Sequence, residues 1–251
     1  MDPGRHLGTH QSDLIEFLLP QLFPNPFVLV LLDHAIAGLN AYAFHLSSNL
    51  WAGIVAGFVY LVALALTQHR LTAIVAAVLF VVHPVHVEAV AWISNRKDLV
   101  AAAFLLPGFL TYLKYRQRGD LAWYLASLLL FLLALLGKLS VVAFPAMLLA
   151  LDLFVEKRPF NRSIVDKIPF VLLAALAAIV VRHAQPATGA QPDISMHAAS
   201  FVQGLWLLTG LGNYALYRVP PASGTTLAQI AGAVFLLALF MFPLLLRKRY
   251  P

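Results

Sequence analysis

Long apolar stretches separated by short polar connections restrict the fold of this chain more than any other feature of its sequence. A helix needs about 20 apolar residues to cross the hydrocarbon core of a bilayer. On that measure about eight stretches predict spans, at residues 27–47, 50–67, 71–83, 99–115, 121–137, 140–155, 168–181 and 227–246. Charged residues make up only 11% of the chain, against about 25% in soluble domains. The sequence therefore predicts an all-α fold, a polytopic transmembrane helical bundle.

Basic residues indicate how this bundle is oriented, because Lys and Arg gather in cytoplasmic loops. They cluster at residues 114–118, 157–167 and 247–249. With all three groups in the cytoplasm, we expect an integral protein of a bacterial inner membrane with both termini cytoplasmic. Residues 1–26 then form a cytoplasmic tail and residues 27–251 a single transmembrane helical domain. The stretch 198–217 predicts a helix lying on the outer face, with a ninth span as the alternative.

The connection at residues 83–98 faces outward in this topology, and it reads HPVHVEAVAWISNRKD. Charge near a bilayer is costly, so such a cluster marks a candidate functional site. His83 and His86 lie three residues apart, on one face if the backbone is helical, and Glu88 is close by. Catalytic acid–base chemistry by these residues is one interpretation. A divalent cation and a structural hydrogen-bonded cluster are the others; three local ligands do not predict a metal site by themselves.

Several basic residues fall at the outer face, against the cytoplasmic bias. Cations that converge at one headgroup level suit a lipid phosphate or pyrophosphate. The alternative is that these side chains extend to the interface or pair with local acids. The predicted phosphate- and lipid-binding residues are Arg96, Lys97, Lys138 and Arg182.

Three acidic positions are predicted to be mainly structural. Asp98 precedes an apolar run and is suited to be a helix N-cap, with a role in the site as the alternative. Asp33, beside His34, lies inside the first predicted span, toward its cytoplasmic half, where we expect an ion pair within the bundle. Asp152 is expected to belong to the cytoplasmic anchor at residues 156–158.

Composition and motifs exclude several other functions. The net charge of +6 comes without a basic run interleaved with aromatic residues, so nucleic acid is not a predicted partner. The absence of cysteine excludes disulfides and thiolate chemistry. No Gly-rich phosphate loop of the Walker type and no Gly-x-Ser-x-Gly elbow occurs.

Three segments resemble a known family in their residues and in their order along the chain: VLFVVHPVHVEAVAWISNRKDLVAAAFLL, LLALLGKLSVVAFPAMLLALDLFVEKRPF and DKIPFVLLAAL. They are similar to the membrane domain of the TPR-containing O-mannosyltransferases and their bacterial relatives, which belong to the GT-C class of membrane glycosyltransferases. The resemblance implies transfer of a sugar from a polyprenyl-phosphate carrier at the outer or lumenal face.

The family's motifs fall on definite positions of this chain. The His-Pro-x-His-x-Glu signature falls on His83, Pro84, His86 and Glu88, and the basic pair before the next helix on Arg96 and Lys97. The lysine that closes the fifth span falls on Lys138. The resemblance thus implies that His83, His86 and Glu88 orient or deprotonate the acceptor, while Arg96, Lys97 and Lys138 hold the phosphate.

Two departures from the family leave a second function open. The first two predicted spans are joined by little more than Ser48 and Asn49, so the long acidic outer loop of this class is missing, and no TPR array follows. We therefore expect a reduced glycosyltransferase. The alternative is a non-catalytic scaffold or accessory subunit that binds other membrane proteins.

Overall fold

The computed structural model describes residues 26–155 and 159–184, together with positions 204, 207, 208 and 234. Every regular element within the ranges 26–155 and 159–184 is helical, which confirms the predicted all-α class. The α-helices are α1 (Pro26–Ala37), α2 (Ala41–Thr67), α3 (Arg70–Val82), α4 (Val87–Ala91), α5 (Arg96–Arg118), α6 (Leu121–Gly137), α7 (Phe144–Ala150), α8 (Phe160–Val165) and α9 (Ile168–Ala184). The connections include 3₁₀ turns at Pro84–His86, Ile93–Asn95 and Leu139–Ala143, and a π-helical turn at Leu151–Val155.

The chain divides into two compact units. One comprises Met1–Val81 with Ala89–Pro186, and the other comprises Val82–Glu88 with Ala187–Pro251. Most described residues belong to the first unit. The predicted single domain over 27–251 extends beyond the described residues and stays a prediction, as do the outer-face helix at 198–217 and the eighth span at 227–246.

The boundary between the first two helices differs from the sequence prediction. The break lies at residues 38–40, and Ser48 and Asn49 are both inside α2. Gly38 takes a left-handed backbone conformation with φ +60°, which glycine adopts at no steric cost. Asn40 then caps α2, because its side-chain oxygen accepts a hydrogen bond from the Tyr42 amide at 3.0 Å. A count of apolar residues misses this boundary because Gly and Asn act through helix capping.

Two segments of the described chain are long and apolar enough to cross a membrane, Ala41–Thr67 with 27 residues and Phe160–His183 with 24. A third is reached if Arg70–Val82 and Pro84–Ala91 are counted as one broken span. Leu121–Gly137 and Leu139–Leu153 are shorter apolar helices. These findings confirm a helical membrane protein.

Helix α5 is the centre of the first unit, and it packs most extensively against α6 and next against α2. Small residues let α5 and α6 approach closely: a Cβ atom on Gly137 would lie 3.3 Å from the Cα and Cβ atoms of Ala101. The Ser127 hydroxyl of α6 also donates to the Gly108 carbonyl of α5 at 2.7 Å. Close contact through small residues and interhelical hydrogen bonds stabilises helix pairs in lipid, where burial of apolar surface supplies little.

Aromatic rings contribute to the main buried core, which α5 and α6 form together with α7 and α9. Phe131, Phe144 and Phe170 are all buried, and the ring centroids of Phe131 and Phe144 are 5.2 Å apart. Phe170 meets Tyr112 edge to face at 6.2 Å. Offset and edge-to-face rings attract one another beyond their area of contact, so this core fixes α7 and α9 against α5 and α6.

Candidate functional site

Arg96 begins α5 and is the most completely buried of the predicted site residues, with 1% of its side chain exposed. Its Nε atom donates to the Ser48 hydroxyl at 3.0 Å, and one terminal nitrogen donates to the Phe44 carbonyl at 2.7 Å. The other terminal nitrogen pairs with the Asp33 carboxylate of α1. Arg96 therefore joins α1, α2 and α5, and the ion pair expected for Asp33 has a partner 63 residues away in the chain.

Asp98 and Lys138 form a second ion pair beside the first. The Lys138 ammonium lies 2.6 Å from each carboxylate oxygen of Asp98. Both side chains are 35% exposed. The N-cap position of α5 is Asn95 and not Asp98, so the predicted cap is corrected. Asp98 lies in the first helical turn, where the helix dipole stabilises a carboxylate.

Two further predicted cations lie in the first unit. Lys97 is half-buried, and within the described part of the chain no carboxylate forms an ion pair with it. Arg182 is exposed in the last turn of α9. Because α9 rises about 21 Å from Ile168 to Arg182, Arg182 lies far along the helix from its first residue.

His83, His86 and Glu88 belong to the second unit. The His83 side chain caps the 3₁₀ turn Pro84–His86 by accepting from the Val85 amide at 3.2 Å. Its ring centroid lies 6.1 Å from that of His86, and Glu88 is exposed in the first turn of α4. The turn thus brings the two imidazoles together, and their predicted chemistry stays a prediction.

No group of three His, Asp or Glu side chains in the described residues is close enough to hold a metal ion. The divalent cation left open by the sequence stays a prediction.

Sequence reasoning missed a second group of charges, at the far end of α5. Asp152 in the π-helical turn is fully buried, and it accepts hydrogen bonds from the Tyr112 hydroxyl at 2.9 Å and from the Lys167 ammonium at 2.5 Å. The Arg116 Nε atom lies 3.3 Å from its second oxygen. Lys167 is also buried and hydrogen-bonded to Tyr112. We call Tyr112, Arg116, Asp152 and Lys167 the inner cluster.

The inner cluster gives Asp152 partners on α5 and before α9; the anchor at residues 156–158, to which it was expected to belong, lies outside the described residues. Lys167 was counted only as a cytoplasmic-loop cation, although it is buried. The sequence contained one signal for this cluster, a charge next to a predicted span, because an ion that becomes buried needs a partner. The identity of that partner depended on how α5 and α9 pack, which the sequence pattern does not contain.

Comparison with known protein families identifies the family of this chain. The family model described as dolichyl-phosphate-mannose-protein mannosyltransferase matches residues 24–184. The chain belongs to this family. The match confirms the resemblance to the O-mannosyltransferases and the GT-C class, and it includes all described helices.

Individual relatives agree with the family. The chain is 34% identical over 142 residues to the protein O-mannosyl-transferase TMTC2 of Mus musculus, covering 55% of this chain and 17% of that protein. It is 35% identical over 132 residues to TMTC2 of Homo sapiens, covering 51% and 16%. It is 29% identical over 147 residues to Tmtc1 of Drosophila melanogaster, covering 59% and 17%. The matches therefore span about one sixth of these relatives, and no solved structure matches.

Proposed function

We propose that this chain forms membrane-embedded machinery of a GT-C glycosyltransferase, which holds a polyprenyl-phosphate-linked sugar at the periplasmic or lumenal face. Family membership supports the glycosyltransferase class, since the matching relatives are named protein O-mannosyl-transferases. The observation that carries the phosphate role is the Asp98–Lys138 pair at the beginning of α5, in which both side chains are partly exposed.

The face follows from the charges at the two ends of α5. Lys114, Arg116 and Arg118 lie in its last turns, and basic residues favour the cytoplasm. Helix α5 rises about 24 Å between Arg96 and Tyr112. Its first turn, with Asp98 and Lys138, then lies toward the outer face of a bacterial inner membrane. The cytoplasmic C-terminus predicted from residues 247–249 lies outside the described residues and stays a prediction.

Contacts at the beginning of α5 change the expected position of Asp33. The sequence placed it in the cytoplasmic half of a span at 27–47, but its ion pair with Arg96 puts it at the end of the bundle that we assign to the outer face. The expectation of a cytoplasmic N-terminus depended on that span, so it is not carried into this proposal.

The predicted phosphate ligands differ in how exposed their side chains are, and we assign their roles accordingly. The guanidinium of Arg96 is already bound by Asp33, Ser48 and Phe44, so we assign it to positioning the beginning of α5. Lys97 and Lys138 retain accessible side-chain surface and would contact the phosphate, and exposed Arg182 would bind lipid headgroups.

The acceptor chemistry is assigned to the second unit. Glu88 is exposed and is a carboxylate that can accept a hydroxyl proton, and His83 and His86 lie together within the same short segment. We propose that Glu88, with these two histidines, orients or deprotonates the acceptor hydroxyl.

Binding of undecaprenyl phosphate to the purified chain in phosphatidylcholine nanodiscs tests the phosphate role. Replacing both lysines, Lys97→Ala with Lys138→Ala, should weaken binding at least tenfold, because charge-assisted contacts to phosphate are lost. Lys114→Ala is the matched control: this lysine lies over the Trp123 ring at the far end of α5, and its loss should leave binding unchanged. Equal binding by the double variant and the wild type would refute the role.

A non-catalytic accessory subunit is the second candidate. Helix α2 exposes Leu46, Leu50 and Ile54 at intervals of four residues, which places them on one face. Such a stripe suits lipid or the helix of another membrane protein. Purification in mild detergent separates the candidates: a stoichiometric protein partner without sugar transfer supports the subunit, whereas a monomer with turnover excludes it.

A further inference from the structure

The Asp98–Lys138 pair differs in kind from the other ion pairs of the first unit. Arg96 and Asp152 have side-chain exposures of 1% and 0%, but Asp98 and Lys138 are each 35% exposed. The Lys138 ammonium is equidistant, at 2.6 Å, from both oxygens of its partner. A phosphate that reached Lys138 would therefore compete directly with the carboxylate.

The backbone at both residues is held firmly while the contact between their side chains stays exchangeable. Lys138 follows Gly137, whose Cα is packed against Ala101 of α5, so the end of α6 is fixed beside the first turns of α5. Exposed ion pairs contribute little net free energy. A phosphate oxygen and a carboxylate oxygen both form charge-assisted bonds to an ammonium. At neutral pH the monoester of undecaprenyl phosphate carries more negative charge than a carboxylate, whereas the diester of a sugar-linked carrier carries one charge.

Asp98 retains one stabilising interaction after Lys138 leaves it, although its Oδ1 atom is buried and accepts no hydrogen bond from the described residues. It lies in the first turn of α5, where the helix dipole is positive. The carboxylate thus does not depend on Lys138 alone for its stabilisation.

We propose that Asp98 is an internal counter-ion that occupies Lys138 until the phosphate of a polyprenyl lipid displaces it. This inference rests on the proposed phosphate role of Lys138 and deepens it. Asp98 is then a positioning residue: it holds the ammonium in place in the empty site, and it sets how strongly a phosphate must bind to enter. The exchange moves one ammonium from a carboxylate to a phosphate and forms no covalent bond.

The variant Asp98→Asn tests this inference through the direction in which its affinity for the phosphate changes. Without the competing carboxylate, undecaprenyl phosphate in phosphatidylcholine nanodiscs should bind about two- to fivefold more tightly, as expected when an exposed ion pair no longer competes. Asp98→Glu restores the charge and should bind close to the wild-type value. If Asp98 serves only to hold Lys138 for the ligand, Asp98→Asn should bind more weakly, and weaker or unchanged binding overturns the inference.

Controls separate this inference from the proposed function. Asp120→Asn is the matched variant, because Asp120 caps α6 at the other end of the helix pair by accepting from the Ala122 amide at 2.9 Å; its affinity should equal the wild type. Asp98→Ser provides a second neutral variant, with the same tighter binding expected, should Asp98→Asn fail to fold. If the wild type itself does not bind undecaprenyl phosphate, the proposed function fails; if it binds and the neutral variants do not bind more tightly, only the inference fails.

Discussion

Helix α5 contributes to a buried group of charges at one end and to a partly exposed ion pair at the other. In the inner cluster one fully buried carboxylate, Asp152, is shared by Tyr112, Lys167 and Arg116. At the beginning of α5, Asp98 and Lys138 form an ion pair with one another, and each keeps about a third of its side-chain surface exposed. Burial with several partners is typical of a structural network, whereas an exposed pair can exchange partners.

Labelling from one side of the membrane tests whether the two ends of α5 face opposite sides, and the expected result is all or none. The chain has no cysteine, so single cysteines can be placed at will. Ser94→Cys in the turn before α5 should react with a membrane-impermeant maleimide in intact spheroplasts. Gln117→Cys in the last turn of α5 should react only after permeabilisation. Both positions are exposed, so a reversed pattern would mean that the Asp98–Lys138 end faces the cytoplasm.

Removing the shared carboxylate should have the largest effect on stability. Asp152→Asn leaves Lys167 and Arg116 without their buried counter-charge, and we expect a loss of about 3–5 kcal/mol in the free energy of unfolding. Denaturant unfolding in detergent micelles measures it. Tyr112→Phe removes only a hydroxyl from the same cluster and should cost about 1 kcal/mol. Similar losses for the two variants would show that the carboxylate is not the centre of the cluster.

The Asp33–Arg96 pair should give an intermediate effect. Asp33→Asn leaves the Arg96 guanidinium bonded to Ser48 and Phe44, and Asp33 itself is 16% exposed, so we expect a loss of about 2 kcal/mol. A double-mutant cycle with Arg96→Gln should give a coupling energy of about 1–3 kcal/mol. Strictly additive losses would contradict a direct contact. The same cycle for Asp98 and Lys138 should yield less than about 1 kcal/mol, as for exposed pairs.

The sequence predicted the class of the fold because lipid imposes a simple length rule on helices. That rule failed at the first boundary, where Gly38 and Asn40 end and begin helices through backbone conformation and capping. The element types of α5, α6 and α9 followed from apolar length alone. Their relative packing did not, since it depends on close contacts such as that of Gly137 with Ala101.

The residues of the candidate site were predicted better than their partners were. The motif that contains Arg96, Lys97 and Asp98 is contiguous, so it can be read directly from the sequence. Asp33 and Ser48, which bind Arg96, lie 63 and 48 residues away from it. Such pairs become visible only once the bundle is packed. Asp152 and Lys167 show the same limit, because each looked like a loop charge before it proved to be buried.

The length of α2 has a consequence for where Arg96 sits in the bilayer. Its 27 residues extend about 40 Å, whereas the hydrocarbon core is about 30 Å thick. The polar turn Gln68–Arg70 marks the interface at one end, so the surplus of about 10 Å falls on the first two turns, where Phe44 and Ser48 accept from the guanidinium. If α2 lies along the bilayer normal, this surplus places the cation at headgroup depth, whereas a tilted α2 or a thicker membrane would bring it toward the hydrocarbon core, where a charge is far more costly.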